Sequence, residues 1–307
     1  MLEHGSLKLR KPTARLAAIV ITLSVLFAAA YGEATAKAAG RNWSVVWEPT
    51  RPVNGSPILF RVKSPVQLEK LAGKWLEHDV FFSFDQKSGT WYGIAGVSLE
   101  TVPGKYSLAL TGQATAGKQV AWQKSVRIGK GKYRQIAVTV AKQFTEPSPE
   151  QLQEIKEEQT LKHETFARTG PEREWISNFL PPVKAQISDV FGTARVFNGE
   201  TQSVHQGLDY AVPTGTPVAA LNRGNVLLAQ LLFFEGNCVV LDHGQGLMTI
   251  YMHLSKIAVK EGEQINRGQE IGLSGGTGRA TGPHLHVAVR WQGIYLDPAT
   301  LLTLSLP

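Results

Sequence analysis

Cysteine is nearly absent from this chain, with a single residue, Cys238, in 307. One thiol excludes an internal disulfide framework. It stands in Gly236-Asn-Cys-Val-Val-Leu-Asp242, an apolar run between turn residues, where a buried strand thiol is expected rather than a nucleophile. Charge is also sparse, at 19% of residues against 43% hydrophobic. That balance suits a folded globular protein and leaves little room for extended disorder. An apolar run of full membrane-spanning length is missing, since the longest, Leu16 to Ala30, falls short of the roughly 20 residues a helix needs to cross. No nucleic-acid-binding motif is present. The net charge of +7 alone favours an anionic partner in general, and no nucleic acid is expected.

The N-terminus carries a basic stretch, Lys8, Arg10, Lys11 and Arg15, ahead of that short apolar run. Small residues follow, with A-x-A sites at Ala28-Ala29-Ala30, Ala34-Thr35-Ala36 and Ala36-Lys37-Ala38. This order makes residues 1–38 a secretory signal peptide or, if uncleaved, a membrane anchor with a cytoplasmic N-terminus. Either way the remainder is exported.

From 42 to 145 short strands alternate with turns. Ile58, Phe60 and Val62 alternate with Leu59, Arg61 and Lys63, and further runs begin at Tyr106, Val120 and Ile136. The spacing predicts an immunoglobulin-like β-sandwich without the usual cysteine pair. Residues 146–180 turn rich in Glu, Gln and Lys, as a solvated, partly helical linker opened by Pro149. Trp175, Ile176, Phe179 and Leu180 would dock it onto a neighbour. From Pro181-Pro182 to 307 strands return, at 186–191, 217–220, 225–234, 238–242, 247–253, 270–273 and 284–291. Glycines fall between them, which predicts an all-β antiparallel domain.

Five of the eight histidines fall in this last segment. His205 and Asp209 stand four apart in His-Gln-Gly-Leu-Asp, able to share a face. His284 and His286 stand two apart in Gly-Pro-His-Leu-His and would point to one side of a strand. His253, in Tyr251-Met-His-Leu, would share a strand face with Tyr251. Imidazole and carboxylate suit zinc, and three protein ligands leave a fourth place for water. Two further histidines could orient water or steady an oxyanion. Spacing alone does not assign these parts. His243 reads as a turn residue, and His78 and His163 as structural.

These pieces together resemble peptidase family M23, the lysostaphin-like metallopeptidases that cut peptide bonds in peptidoglycan. The matching stretches are His205 to Val218, Leu241-Asp-His-Gly-Gln-Gly246, Tyr251-Met-His-Leu254, Gly262 to Gly268, and Gly275-Gly-Thr-Gly-Arg-Ala-Thr-Gly-Pro-His-Leu-His286. They cover most of 190–297 in the family's order. The resemblance implies Zn2+ held by His205, Asp209 and His286, with His253 and His284 as the catalytic pair. It also implies peptidoglycan stem peptides as partner, a compact antiparallel β domain with a groove, and a place in the periplasm or cell envelope. A diaminopimelate crosslink is the expected bond. The alternative is a non-enzymatic binder that activates other wall hydrolases.

Overall fold

The computed structural model describes residues 42–115, 117–197, 199 and 201–307, so the expected leader at 1–38 lies outside them. Among the described residues no helix is long and apolar enough to cross a membrane. Strands dominate and the all-β expectation holds.

The front segment builds two four-stranded sheets, antiparallel throughout. One runs Ser44–Glu48, Pro57–Lys63, Thr90–Gly96, Ser83–Asp85, and the other His78–Phe81, Leu68–Trp75, Gly104–Ala114, Gln119–Ile128. Phe60 and Trp75 join them edge to face with ring centroids 5.5 Å apart, and the Trp75 indole donates to Gly96 O at 2.9 Å. The immunoglobulin likeness expected from spacing is carried no further than this pair of antiparallel sheets.

Alternation at 58–62 predicts one buried face, yet Leu59 is as fully buried as Ile58 and Phe60. The second face is covered by the chain's C-terminal end. Arg61, on the Leu59 side, donates through Nη2 to Ser305 O at 2.9 Å, and Gly96 lies against Leu296 and Ile294. A Cβ at Gly96 would stand 2.7 Å from Leu296 Cδ2, so a larger residue there would push the Leu296 side chain off the sheet.

Beyond residue 181 the central sheet has its main path in the order Ile187–Asp189, Leu208–Tyr210, Leu285–Trp291, Leu247–Leu254, Gly236–Asp242, Gly224–Leu232, Gln264–Ile265. Ile294–Leu296 pairs with Leu285–Trp291 off that path. One face of this sheet joins the main core through Leu208, Tyr251, Leu285 and Val287. The other packs a smaller cluster including Leu228, Val240, Ile250 and Ala288. Cys238 is buried in that smaller cluster, as expected, and burial pushes its thiol pKa well up.

Two elements depart from the sequence reading. Gln135–Val138, assigned by spacing to the sandwich, pairs in parallel with Ala194–Phe197, which in turn pairs with Thr201–Val204. Pro149–Ala167 is a helix whose Ser148 cap forms a full capping box with Gln151. It is more than a solvated linker. Ile155 and Thr165 are buried, Glu158 accepts from Phe233 N at 2.8 Å, and Lys162 pairs with Glu235 at 2.6 Å. These bonds fasten it to the turn between Gly224–Leu232 and Gly236–Asp242. Trp175 and Phe179 enter the core as expected, whereas Ile176 stays exposed.

Candidate active site

Strand register decides which side chains meet. Asp209 lies opposite His286 on one flank of Leu285–Trp291, and Met252 lies opposite it on the other. Directly paired residues share a face, so all three point to the same side of the sheet. His284, two residues before His286, falls on that side too.

His253 does not follow the rule. Regular alternation would put it with Tyr251 on the opposite face, where the sequence reading placed it. Its φ of 62° breaks the alternation and returns the ring to the cavity, with centroids 4.8 Å from His284 and 6.0 Å from His286. Tyr251 stays in the main core, its hydroxyl accepting from Leu221 N at 2.8 Å. A left-handed conformation at a non-glycine residue costs on the order of 1–3 kcal/mol. Two bonds hold it: His253 N donates to Glu235 O and Nδ1 donates to Thr277 O, both at 2.8 Å.

His205 arrives from the loop after Thr201–Val204. Gly207 lets that loop pass the sheet, because a Cβ there would come within 2.4 Å of His286 Nε2. His205 Nε2, Asp209 Oδ1 and His286 Nδ1 then converge, with separations of 3.0, 3.0 and 2.7 Å. All three residues are buried, at 3%, 7% and 7% exposure, and form the potential metal-holding group among the described residues.

The donor chemistry fits a cation. His205 Nδ1 faces the Val190 carbonyl at 2.9 Å, and a carbonyl only accepts. The proton therefore sits on Nδ1, which leaves the Nε2 lone pair aimed inward beside an anionic oxygen. Only the proton on His286 Nδ1 separates this arrangement from three inward-facing lone pairs. Such a set, two imidazoles and a carboxylate with room for a fourth partner, suits zinc.

Burial works to raise the Asp209 pKa, but hydrogen bonds and charge from His205 and His286 hold it well below the usual carboxylate range. Its second oxygen takes Arg195 Nη2 at 2.6 Å. The same guanidinium nitrogen reaches Asp189 Oδ2 at 2.6 Å, and Asp189 Oδ1 takes Arg134 at 2.7 Å. Arg134, Asp189, Arg195 and Asp209 thus form one chain of charge, starting beside the Gln135–Val138 strand. The sequence reading missed Asp189 and Arg195, since their only signal is proximity across separate strands. Burial, then the His286 and His284 charges, push the His253 pKa down to about 3. His284 donates from Nδ1 to Gly282 O at 2.8 Å, and its Nε2 stands 3.9 Å from Asp209 Oδ1.

These groups line a cavity of about 450 Å³ together with Ile136, Val138, Val140, Phe234, Glu235 and Arg279. Among the described residues, His78, His163 and His243 lie outside the group of three. His243 is fully buried between Arg223 O and Thr249 Oγ1, and His78 packs on Trp291 at 5.1 Å between centroids.

The family model for peptidase family M23 matches residues 203–298, the stretch that holds all five of these residues. A crystal structure assigned to peptidase M23 from Pseudomonas aeruginosa superposes with a TM-score of 0.63 at 30% identity, covering 82% of this chain and 95% of that one. The chain belongs to peptidase family M23. Among curated relatives, the peptidoglycan DD-endopeptidase ShyA of Vibrio cholerae is 55% identical over 103 residues, 34% of this chain and 23% of that protein. The DD-carboxypeptidase/endopeptidase Mpg of Neisseria meningitidis is 39% identical over 124 residues, 40% of this chain and 29% of that protein. The match thus spans between a fifth and a third of either curated relative.

Proposed function

We propose that this protein is a zinc metalloendopeptidase that hydrolyses peptide crosslinks of bacterial peptidoglycan. The observation that carries the reading is the convergence of His205 Nε2, Asp209 Oδ1 and His286 Nδ1 beside the His253–His284 pair, all lining one cavity. The name of ShyA, a peptidoglycan DD-endopeptidase, supports peptidoglycan as the substrate.

In this reading His205, Asp209 and His286 hold the metal. A zinc ion bound there supplies Lewis acidity to a peptide carbonyl and lowers the pKa of water. The chain's own residues do the rest. His253 and His284 each spend Nδ1–H on a backbone carbonyl, so their Nε2 lone pairs are left to take a proton from attacking water. The imidazolium so formed returns it to the leaving amine, and the ring edges steady charge on the carbonyl oxygen. Arg195 fixes Asp209 by binding the oxygen that does not face the centre. Residues 181–307 act as the peptidase unit, 42–145 as the accessory β unit and 146–180 as the link, working in the cell envelope.

The test is mass spectrometry of fragments released from purified peptidoglycan, with zinc and with a chelator. Zinc-dependent loss of crosslinked fragments is expected. His286→Ala should lose bound zinc and release together. His253→Ala should keep zinc while release falls roughly 10²–10⁴-fold. Equal zinc loss in both variants would refute this division of roles. Absence of release by folded, zinc-loaded protein would refute the hydrolase reading.

A further inference from the structure

Arg134, Asp189 and Arg195 all lie outside the 203–298 stretch that carries the five site residues. Between them they nonetheless reach two of the three metal-holding side chains. Asp189 is the hub. It is 6% exposed, and its two oxygens have separate sets of partners. Oδ1 accepts from Val190 N at 2.9 Å, Thr193 Oγ1 at 2.8 Å and Arg134 Nη2 at 2.7 Å. Oδ2 accepts from Arg195 Nε at 3.0 Å and Nη2 at 2.6 Å, and stands 3.3 Å from His205 Nδ1. The first oxygen closes the turn at 189–193. The second is spent wholly on His205 and on the guanidinium that binds Asp209.

Arg134 comes from the front segment, just ahead of strand Gln135–Val138. That strand runs parallel to Ala194–Phe197, Ala194 N donates to Arg134 O at 2.8 Å, and the Tyr133 ring lies against Gly192. Gly192 N in turn donates to His205 O, and His205 N to Thr193 O, both at 2.8 Å. The backbone that carries His205 is thereby tied to the residues that carry Arg134.

Charge gives the hub its weight. Arg195 places a permanent cation 2.6 Å from Asp209 Oδ2. Alone, that cation would repel a divalent ion and draw negative charge away from its carboxylate ligand. Asp189 cancels it at the same 2.6 Å. An anion beside His205 Nδ1–H also makes Nε2 the stronger donor, as carboxylates behind metal-bound imidazoles do. Because Asp189 is itself buried, it needs a second cation once Arg195 is shared with Asp209, and Arg134 supplies it.

We propose that Asp189 is a positioning residue of the metal centre, acting on His205 and, through Arg195, on Asp209, with Arg134 of the front segment holding it in place. The inference rests on the metal-holding role given above to His205, Asp209 and His286. It goes beyond that role in making metal affinity depend on a segment that precedes the peptidase unit.

Zinc affinity of the full chain is read by competition with a chromophoric chelator, and the Co2+-loaded protein by its visible absorption. Asp189→Asn should weaken zinc by roughly 10- to 100-fold and shift the cobalt bands. Arg134→Gln should weaken it by roughly 3- to 10-fold, less because that side chain is half-exposed. Arg134→Lys, which keeps the charge, should recover most of that loss. Leu59→Ala, which destabilises the fold from the front sheet, should keep parental zinc affinity while folded. Parental affinity and spectrum in Asp189→Asn would overturn the proposal. So would a zinc loss in Leu59→Ala equal to that in Asp189→Asn, because affinity would then merely follow stability. If Asp189→Asn does not fold, the Arg134 variants decide: parental affinity in Arg134→Gln, or an equal loss in Arg134→Lys, overturns the proposal. A parent chain that takes up no zinc would instead remove the metal reading itself, and this inference with it.

Discussion

Two adjacent residues outside the site, Asp242 and His243, show how burial sets ionisation in opposite senses. Burial pushes the Asp242 pKa up to about 6, with the hydrogen bond from Gly244 N only partly offsetting it. Burial likewise pushes the His243 pKa down to about 4, against the bond to Arg223 O. For Asp242 the native state binds its proton more tightly than the unfolded chain does. Its contribution to stability therefore falls as pH rises from about 4 to 6, and the full cost is present at pH 7. His243 has the reverse slope, losing stability as pH falls from about 6.5 to 4. Asp242→Asn keeps an oxygen for Gly244 N and removes the buried charge. It should raise stability at pH 7.5 by about 1–3 kcal/mol, with the gain vanishing as pH falls to the carboxylate range near 4. Urea unfolding at the two pH values checks this, and a loss at pH 7.5 would show that the carboxylate has a stabilising partner.

At the scale of elements, the sequence was most readable where one strand supplies its own pattern. Glu270–Leu273 and Leu247–Leu254 match expectation to within a residue, and His284 and His286 share a face as a two-residue period requires. The hairpin of Ala194–Phe197 and Thr201–Val204 was not legible, because its strands are four residues long and one partner, Gln135–Val138, lies about 60 residues away. The position of His253 was misread for a different reason: its backbone leaves the extended region just where alternation would have decided its face. Arg195 lacked any local periodicity and gains meaning only from the cavity it enters. The helix Pro149–Ala167 offered few apolar residues and looked detached, yet its polar side chains hold the Phe233–Glu235 turn. Burial and the nearby Glu235 charge raise the Glu158 pKa against the bond from Phe233 N. Glu158→Ala should therefore leave the Phe233 amide without its carboxylate, at a cost of about 1 kcal/mol. Hydrogen exchange should quicken at Phe233 while the central strand Leu285–Trp291 keeps its protection. Unchanged exchange at Phe233 would mean that the helix does not restrain the turn.

At the scale of the whole molecule, the front sheets and the peptidase sheet are not insulated from one another. One continuous apolar cluster includes Ile58, Phe60 and Trp75 as well as Leu208, Val287 and Leu301. Polar bonds repeat the connection: Asp297 N donates to Gly55 O at 2.8 Å, Ser305 N to Glu48 Oε2 at 2.9 Å, and Gln292 Nε2 to Asp79 O at 2.6 Å. Opening either part alone would expose Leu59 and Trp291, both fully buried, and strand Glu48 and Arg61 without the tail they bind. That penalty couples the two parts, so zinc-free protein should unfold in one calorimetric transition with matching calorimetric and van't Hoff enthalpies. Leu59→Ala gives the sharper check. The substitution lies in the front sheet, far along the chain from the histidines, and should cost about 2–5 kcal/mol. In a coupled molecule it lowers the whole transition, and loss of the peptidase fold follows at the same reduced temperature. In a molecule of two independent units it would split the endotherm, moving one peak and leaving the peptidase peak in place.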